Sequence, residues 1–539
     1  MDGKRLLFAA AASFLVLMLW EWLGPKPAPR PATPPAPAAQ AQAAPPVVAP
    51  PAAAPEQSVA AAAETSTVLE NEVLRATFSN RGAVMTSLVL RHHADDEGRP
   101  LELIPTMPRD APRPLAVLLP GDGSLSRRAR NALFVAEKTG ERGVRFRYAD
   151  SGLAVTKEIR LSGPYLFDLR IDVPGQTFTV LAGVGLRNRT ETRGTAYALP
   201  LTAIATVGNG FERVKLPDAK GLATWPMPDG GFAGLEDSYF LAVILPKAPE
   251  RAMAQPLTLR DSAGKTVPTI VGGVTAKETL AAQAYYGPKD VEILDALELG
   301  LERTVDFGWF EILARPLLWL LKWTYSWAGN YGLAILFVTL IVRILIFPLM
   351  HKSYASMRKM QKLAPKMTAI RDKYKKSRTD AAQRAKMNQE LMALYQAEGY
   401  NPMSGCFPML LQLPILIAFF NVLSRSIELR HAPFVLWIKD LSAPDRTYVL
   451  VIIMIVTMYV QQAMTPSAAD PIQKRIFMAM PIIWGFFLKD MPSGLVLYWL
   501  FSNVLTILQQ LLINRMGSKD EPKVEKPPGV KKARVPRSA

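Results

Sequence analysis

An arginine stands inside the stretch Leu336 to Met350, LFVTLIVRILIFPLM, where every other side chain is apolar except the hydroxyl-bearing Thr339. With Gly-Leu-Ala-Ile just before it, the run is about long enough to cross a bilayer as a helix. At 1.5 Å per residue Arg343 lies roughly 10 Å from Met350, in the inner half of the membrane. A central arginine costs roughly 2.5–3.5 kcal/mol on insertion scales, so neighbouring groups must offset it. Thr339 lies four residues earlier, on the same helix face. Other apolar segments carry Gln412, Gln461, Gln462, Ser502, Asn503, Gln509 and Gln510, while no Asp or Glu sits mid-span. Glu428, Asp440 and Asp490 fall near outer ends. The chemistry of such a residue is electrostatic, because a cation in a low-dielectric layer attracts acidic groups strongly. Two settings suit it. One is a wet cavity open to the cytoplasm, with amide and hydroxyl groups around the charge. The other is an arginine that snorkels to the inner surface or docks on carbonyls.

Covalent chemistry finds little support. Cys406 is the only cysteine, so an intrachain disulfide is excluded, and the four histidines (His92, His93, His351, His431) show no metal-ligand spacing. There is no nucleophile elbow, P-loop or dinucleotide fingerprint. The fragments Gly-Asp-Gly and Asp-Gly-Gly-Phe-Ala-Gly read as turns, and the sequon at Asn188 has no force outside a eukaryotic secretory context. The expectation is a protein that is not an enzyme and needs no metal or cofactor.

The elements that would position the arginine are unevenly composed. Residues 1–24 are a short basic start, with Lys4 and Arg5, and an apolar run ending in Trp20 and Trp22. This reads as an uncleaved anchor with its N-terminus in the cytoplasm, a cleaved signal peptide being the rival. A Pro/Ala tract over 25–64 reads as an extended, disordered tether. From 65 to 306 apolar and polar residues alternate. In Tyr165–Val173, Phe167, Leu169, Ile171 and Val173 oppose Asp168, Arg170 and Asp172. Such short strands between turn signals predict an antiparallel β-sandwich, closed by a polar loop and a helix. Residues 307–330 are rich in Trp yet carry Glu311, Arg315 and Lys322, which suits an amphipathic helix in the interface plane; a short core helix is the alternative. Spans follow over 331–350 and, within 403–515, at about Gly405–Leu423, Tyr448–Met464, Arg475–Leu488 and Gly494–Ile513. With the anchor this makes six.

The loop 351–402 carries twelve Lys and Arg against four acids, within a chain whose formal net charge is +17. Basic excess belongs on the cytoplasmic side, as does the basic tail 516–539, so both termini are cytoplasmic and the strand-rich domain lies across the membrane. The loop reads as a helical hairpin broken near Lys-Lys-Ser-Arg-Thr-Asp, with Thr379 or Asp380 as the N-cap. Met360, Leu363, Met367 and Ile370 form one stripe, and Met387, Leu391 and Leu394 another. These stripes either hold the hairpin together or meet changing apolar partners. Met360, Lys362, Met367, Arg371 and Lys373 are candidate docking residues. Contact with ribosomal RNA, targeting factors or anionic lipid would rest on phosphate electrostatics.

Three segments resemble the YidC/Oxa family of membrane protein insertases: NPMSGCFPMLLQLPILIAFFNVL, ELRHAPFVLWIKDLSAPD and PSGLVLYWLFSN. The element order matches as well, with a large domain after the first span like that of the family's Gram-negative members. The resemblance implies a bacterial inner-membrane protein that inserts and helps fold nascent membrane proteins, alone or with the Sec translocon and its accessory subunits. It implies a five-helix core around a hydrophilic groove in the inner leaflet, with Arg343 at the centre and Thr339 one turn away. Tyr498 and Trp499 match aromatic positions that contact the arriving segment; Trp499 stands where some relatives have a second tyrosine. Gln412, Ser502 and Asn503 complete the candidate groove. The rival readings are a transporter or channel for an anionic solute and a periplasmic enzyme or sugar-binding module anchored to the membrane.

Overall fold

The structure, a computed structural model, describes residues 58–109, 111–187, 199–248, 250–260, 266–374, 380–399, 407–464 and 471–517. The expected anchor, most of the Pro/Ala tether, Cys406, Asn188 and nearly all of the basic tail lie outside these residues.

Among the described residues sixteen strands form two antiparallel sheets, one of four strands and one of twelve. The sheets share a buried apolar core, in which the Phe78 ring meets Phe167 edge-on at 6.3 Å. Strand Leu153–Leu161 shows why the alternation works. Leu153, Val155, Ile159 and Leu161 point inward while Glu158 and Arg160 face out. Lys157 also points inward and is fully buried. Its Nζ donates to the carbonyls of Gly82, Ala83 and Leu115 at 2.8, 3.0 and 2.8 Å, joining three segments. Burial pushes its pKa down to about 7, while three acceptors call for the three donors that only the ammonium form has.

The expectation of short strands needs correction. Leu166–Gly183 and Thr266–Pro288 run for 18 and 23 residues and pair with each other. Pro174–Gly175, a turn signal in the sequence, bends one continuous strand, with Gly175 at φ 70°, beside a register shift at Glu278, φ 61°. A bulge absorbs the irregularity, so the chain need not reverse. A helix absent from the sequence reading, α1 (Gly123–Asn131), also lies in this domain. It is capped by Asp122 of the Gly-Asp-Gly fragment, whose carboxylate accepts from Ser124 and Leu125 N–H. The expected closing helix is only α2 (Val291–Asp295), followed by a 3₁₀ turn Leu301–Thr304 behind left-handed Gly300.

The helical part begins with α3 (Glu311–Ala328), which buries Ala314, Leu318, Leu321 and Thr324 and leaves Trp319, Trp323 and Trp327 exposed. Left-handed Gly329 ends it. Then come α4 (Tyr331–Lys373), α5 (Ala381–Ala397), α6 (Phe407–Arg425), α7 (Val449–Met464), α8 (Pro471–Leu488) and α9 (Ser493–Gly517). Two stretches, Tyr331–His351 and Ser493–Leu512, are long and apolar enough to cross a membrane; Leu411–Arg425, Val449–Met464 and Phe477–Leu488 are shorter apolar helices. The sequence reading separates a span ending at Met350 from the hairpin, whereas α4 has no helix break there. The described residues from 359 to 399 belong to a different compact unit from the rest of the described residues.

The β domain and the helices meet through charged groups. Lys322 of α3 pairs with Asp290 and Glu292 of the β domain at 3.5 and 3.1 Å and with Glu428, beyond α6, at 2.7 Å. Burial opposes the Lys322 charge, but the three carboxylates outweigh it and raise its pKa; burial lifts the Glu428 carboxyl against the pull of Lys322. Nearby, Arg430 donates to the Ala94 carbonyl at 2.7 Å and lies over the Phe240 ring. Asn421 of α6 donates to the Phe307 carbonyl at 2.7 Å. His431 stands between Asp96 at 3.6 Å and Asp440 at 3.3 Å.

Candidate functional site

The last helix carries the polar groups as a stripe. Ser502, Asn503, Thr506, Gln509 and Gln510 recur at three- and four-residue steps and are all buried. The stripe faces the other helices because the opposite face, with Leu508, Leu511 and Leu512, is exposed and apolar. Arg343 of α4, half-buried, donates through Nη2 to Ser502 Oγ. One turn toward the start of α9, the buried Tyr498 hydroxyl accepts from Gln412 Nε2 of α6 at 2.8 Å, and its ring stacks on Phe419 at 4.2 Å. One residue beyond Ser502, Asn503 Nδ2 donates to Thr457 Oγ1 of α7 at 3.4 Å. Four helices thus contribute polar groups to one region, each spaced along its own helix by local geometry.

Thr339 contributes less than its position suggests. It is buried and its hydroxyl donates to the Ile335 carbonyl at 2.6 Å, a bond within its own helix. Trp499 is half-buried and packs on Trp484 of α8, ring centroids 5.4 Å apart. The structure therefore brings Arg343 and Ser502 together, and Gln412 with Tyr498, while Trp499 and Asn503 turn toward α8 and α7. The sequence reading missed Thr457, Phe419 and Thr506. Thr506 follows Ser502 by four residues and could have been found by extending the stripe; Thr457 and Phe419 have no such signal. Chemically, the cluster offers a guanidinium, amides, hydroxyls and an aromatic wall. Among the described residues no three or more His, Cys, Asp or Glu converge as a metal site would require.

In the hairpin unit Asp380 is the N-cap of α5, its carboxylate accepting from Ala382 and Gln383 N–H. Lys366 pairs with Glu398 at 2.6 Å and Lys373 with Glu390 at 2.5 Å. Met367 is 1% exposed, with the Tyr395 hydroxyl 3.8 Å from its sulfur, so it packs inside the hairpin and presents no docking face. Lys362 and Lys373 are exposed and Arg371 is half-buried. The Met360 side chain lies outside the described residues.

Two family descriptions match this chain in succession. "YidC periplasmic domain" matches residues 66–320 and "60Kd inner membrane protein" matches residues 323–520. The membrane protein insertase YidC of Geotalea daltonii is 34% identical over 556 aligned positions, covering 95% of this chain and 99% of its own. That of Geobacter sulfurreducens is 46% identical over 297 positions, and there the alignment spans 54% of each chain, about half the relative's length. The crystal structure of an active YidC insertase with its first transmembrane domain resolved matches over 82% of this chain and 91% of that one, at 20% identity and a TM-score of 0.36.

Proposed function

Since the chain belongs to the YidC family of inner-membrane proteins, we propose that it inserts nascent proteins into the membrane, and that Arg343 is the centre of the groove that receives them. The observation that carries the site is the half-buried guanidinium inside an apolar helix, bonded to Ser502 beside the Gln412–Tyr498 pair. Water entering this region from the cytoplasm shortens the low-dielectric distance that a polar tail must cross. Arg343 attracts acidic side chains of the tail, the half-buried Trp499 beside Tyr498 offers the arriving segment an aromatic contact, and the segment's apolar helix leaves into lipid. No bond is made or broken.

In this reading six spans carry both termini into the cytoplasm, the β domain lies in the periplasm, and α3 lies in the interface plane with its exposed tryptophans toward lipid. The basic hairpin, through Lys362, Arg371 and Lys373, meets ribosome, targeting receptor or anionic lipid, and the β domain meets the Sec translocon or its accessory subunits. The experiment is insertion of a short coat-like protein by purified protein in liposomes. Solute flux without insertion would favour the transporter instead.

A further inference from the structure

Between α6 and α7 the chain makes a tight turn, closed by Phe434 N–H to the Ile438 carbonyl at 2.9 Å and Ile438 N–H to the Val435 carbonyl at 3.1 Å. Leu436 occupies it in the left-handed region, φ 56°, where glycine is the ordinary residue. Its side chain is 83% exposed, Val435 is 48% exposed, and Trp437 and Lys439 are exposed beside them. A bulky apolar residue that is both left-handed and open is a genuine outlier, and such outliers cluster at functional segments.

The place of the turn indicates what covers it. The Asn330 amide donates to the Pro433 and Phe434 carbonyls at 3.2 and 3.3 Å. The Phe434 ring fills the space above Gly332, where an added Cβ would lie 2.0 Å from Cδ2. The apolar span starts at Tyr331, so the turn is clamped to the first residues of a membrane-crossing helix. Trp437 lies near the Asp445 carboxylate, which accepts from the Thr447 and Leu450 N–H groups at the start of α7. Tyr448 at that start repeats the pattern, left-handed at φ 59° and exposed. The turn thus adjoins the starts of two apolar helices.

We propose that Val435, Leu436 and Trp437 form a wedge in the acyl-chain boundary of the leaflet on the β-domain side, with Lys439 at the phosphates. The occupant is lipid because the turn is continuous with the lipid-facing start of the span, and because an apolar tip bordered by Trp and Lys matches the order of acyl chain, interface and phosphate across a leaflet. The contact holds that end of α4, and with it the junction to the β domain, at a fixed depth.

The test uses the full chain with Cys406→Ser, reconstituted in phosphatidylethanolamine–phosphatidylglycerol vesicles and labelled with an environment-sensitive fluorophore at Leu436→Cys. The control label is at Leu222→Cys, an exposed apolar position in the β domain. Nitroxide on a shallow acyl carbon is expected to quench the 436 label several-fold more than the 222 label, with aqueous iodide giving the reverse order. Equal iodide quenching at both sites would overturn the wedge. A photo-crosslinker at 436 in native membranes gives the second readout: lipid adducts are expected, and a dominant protein adduct would assign the turn to a protein partner instead.

Discussion

In the proposed mechanism the decisive property of residue 343 is charge. In a wet groove either basic group is solvated, so Arg343→Lys retains most insertion although the two side chains are not generally interchangeable. Arg343→Ala lowers insertion of an acidic-tailed client roughly tenfold, ~1.4 kcal/mol of barrier, and harms a neutral tail less. Arg343→Glu is worse than Ala for acidic tails because it adds repulsion. The measurement is insertion of one client with acidic, neutral and basic tails, normalised to protein level; equal loss for all three would make Arg343 a scaffold residue. Lys157 is the contrasting case, a cation whose role is structural. Lys157→Met leaves the carbonyls of Gly82, Ala83 and Leu115 without their donor. At 1–3 kcal/mol for an orphaned buried group, the β domain should lose about 3 kcal/mol or more, read as a lower thermal midpoint with insertion per folded molecule unchanged. Arg343 was legible in the sequence because an isolated charge in an apolar run needs a reason. Its partner Ser502, 159 positions away, was legible only as one of several polar residues on another span, since pairing across helices depends on packing. Lys157 was not legible, because in a two-residue alternation it occupies an inward position that the pattern reserves for apolar side chains.

Among elements, the strand Val84–Ala94 ends at the junction with the helices, and His93 reports that junction. Its ring packs edge-on against Phe240 at 5.7 Å, and burial together with the Arg430 guanidinium pushes its pKa down to about 4 from an ordinary 6.5. The unfolded chain therefore binds more protons between those values, and the histidine's stabilisation, complete above 6.5, is lost as pH falls toward 4. Discounted for its partial exposure, the loss is ~1–2 kcal/mol. His93→Gln should flatten the pH dependence of the unfolding midpoint in that window, and Arg430→Ala should narrow it. An unchanged slope in both variants would show that the ring is solvated. Element types were largely legible: the strand Leu153–Leu161 and the apolar helices follow their periodicities. Boundaries were not. The first hairpin helix is continuous with the span because no glycine or cap intervenes before Lys373, and the Pro174–Gly175 pair bends a strand because residues 173–176 bulge out opposite the single residue Glu278 and pairing resumes beyond them.

For the whole molecule, Lys322 matters most, since from α3 it contacts both the β domain and the segment beyond α6. Lys322→Met leaves Glu428 buried without its counter-ion, which for a broken buried pair costs about 3–5 kcal/mol. Lys322→Met combined with Glu428→Gln should recover much of that loss, because a neutral pair needs no compensation. Hydrogen exchange at residues 290–310 and 421–431 would read both: faster in the single variant, near wild type in the double. Exchange unchanged in the single variant would mean that the apolar contacts alone hold the junction. This network was not legible, because its members are distant in sequence and each looks like an ordinary surface charge. The long strand Thr266–Pro288 has a further consequence, for timing. It pairs with Leu166–Gly183, Phe240–Pro246 and Arg251–Arg260, so the large sheet cannot close until residue 288 has left the ribosome. Only 22 residues then separate that moment from the first residue of α3 at 311. Such distant pairings close slowly, and the junction around Lys322, which joins the β domain to the helices, forms only when both are complete.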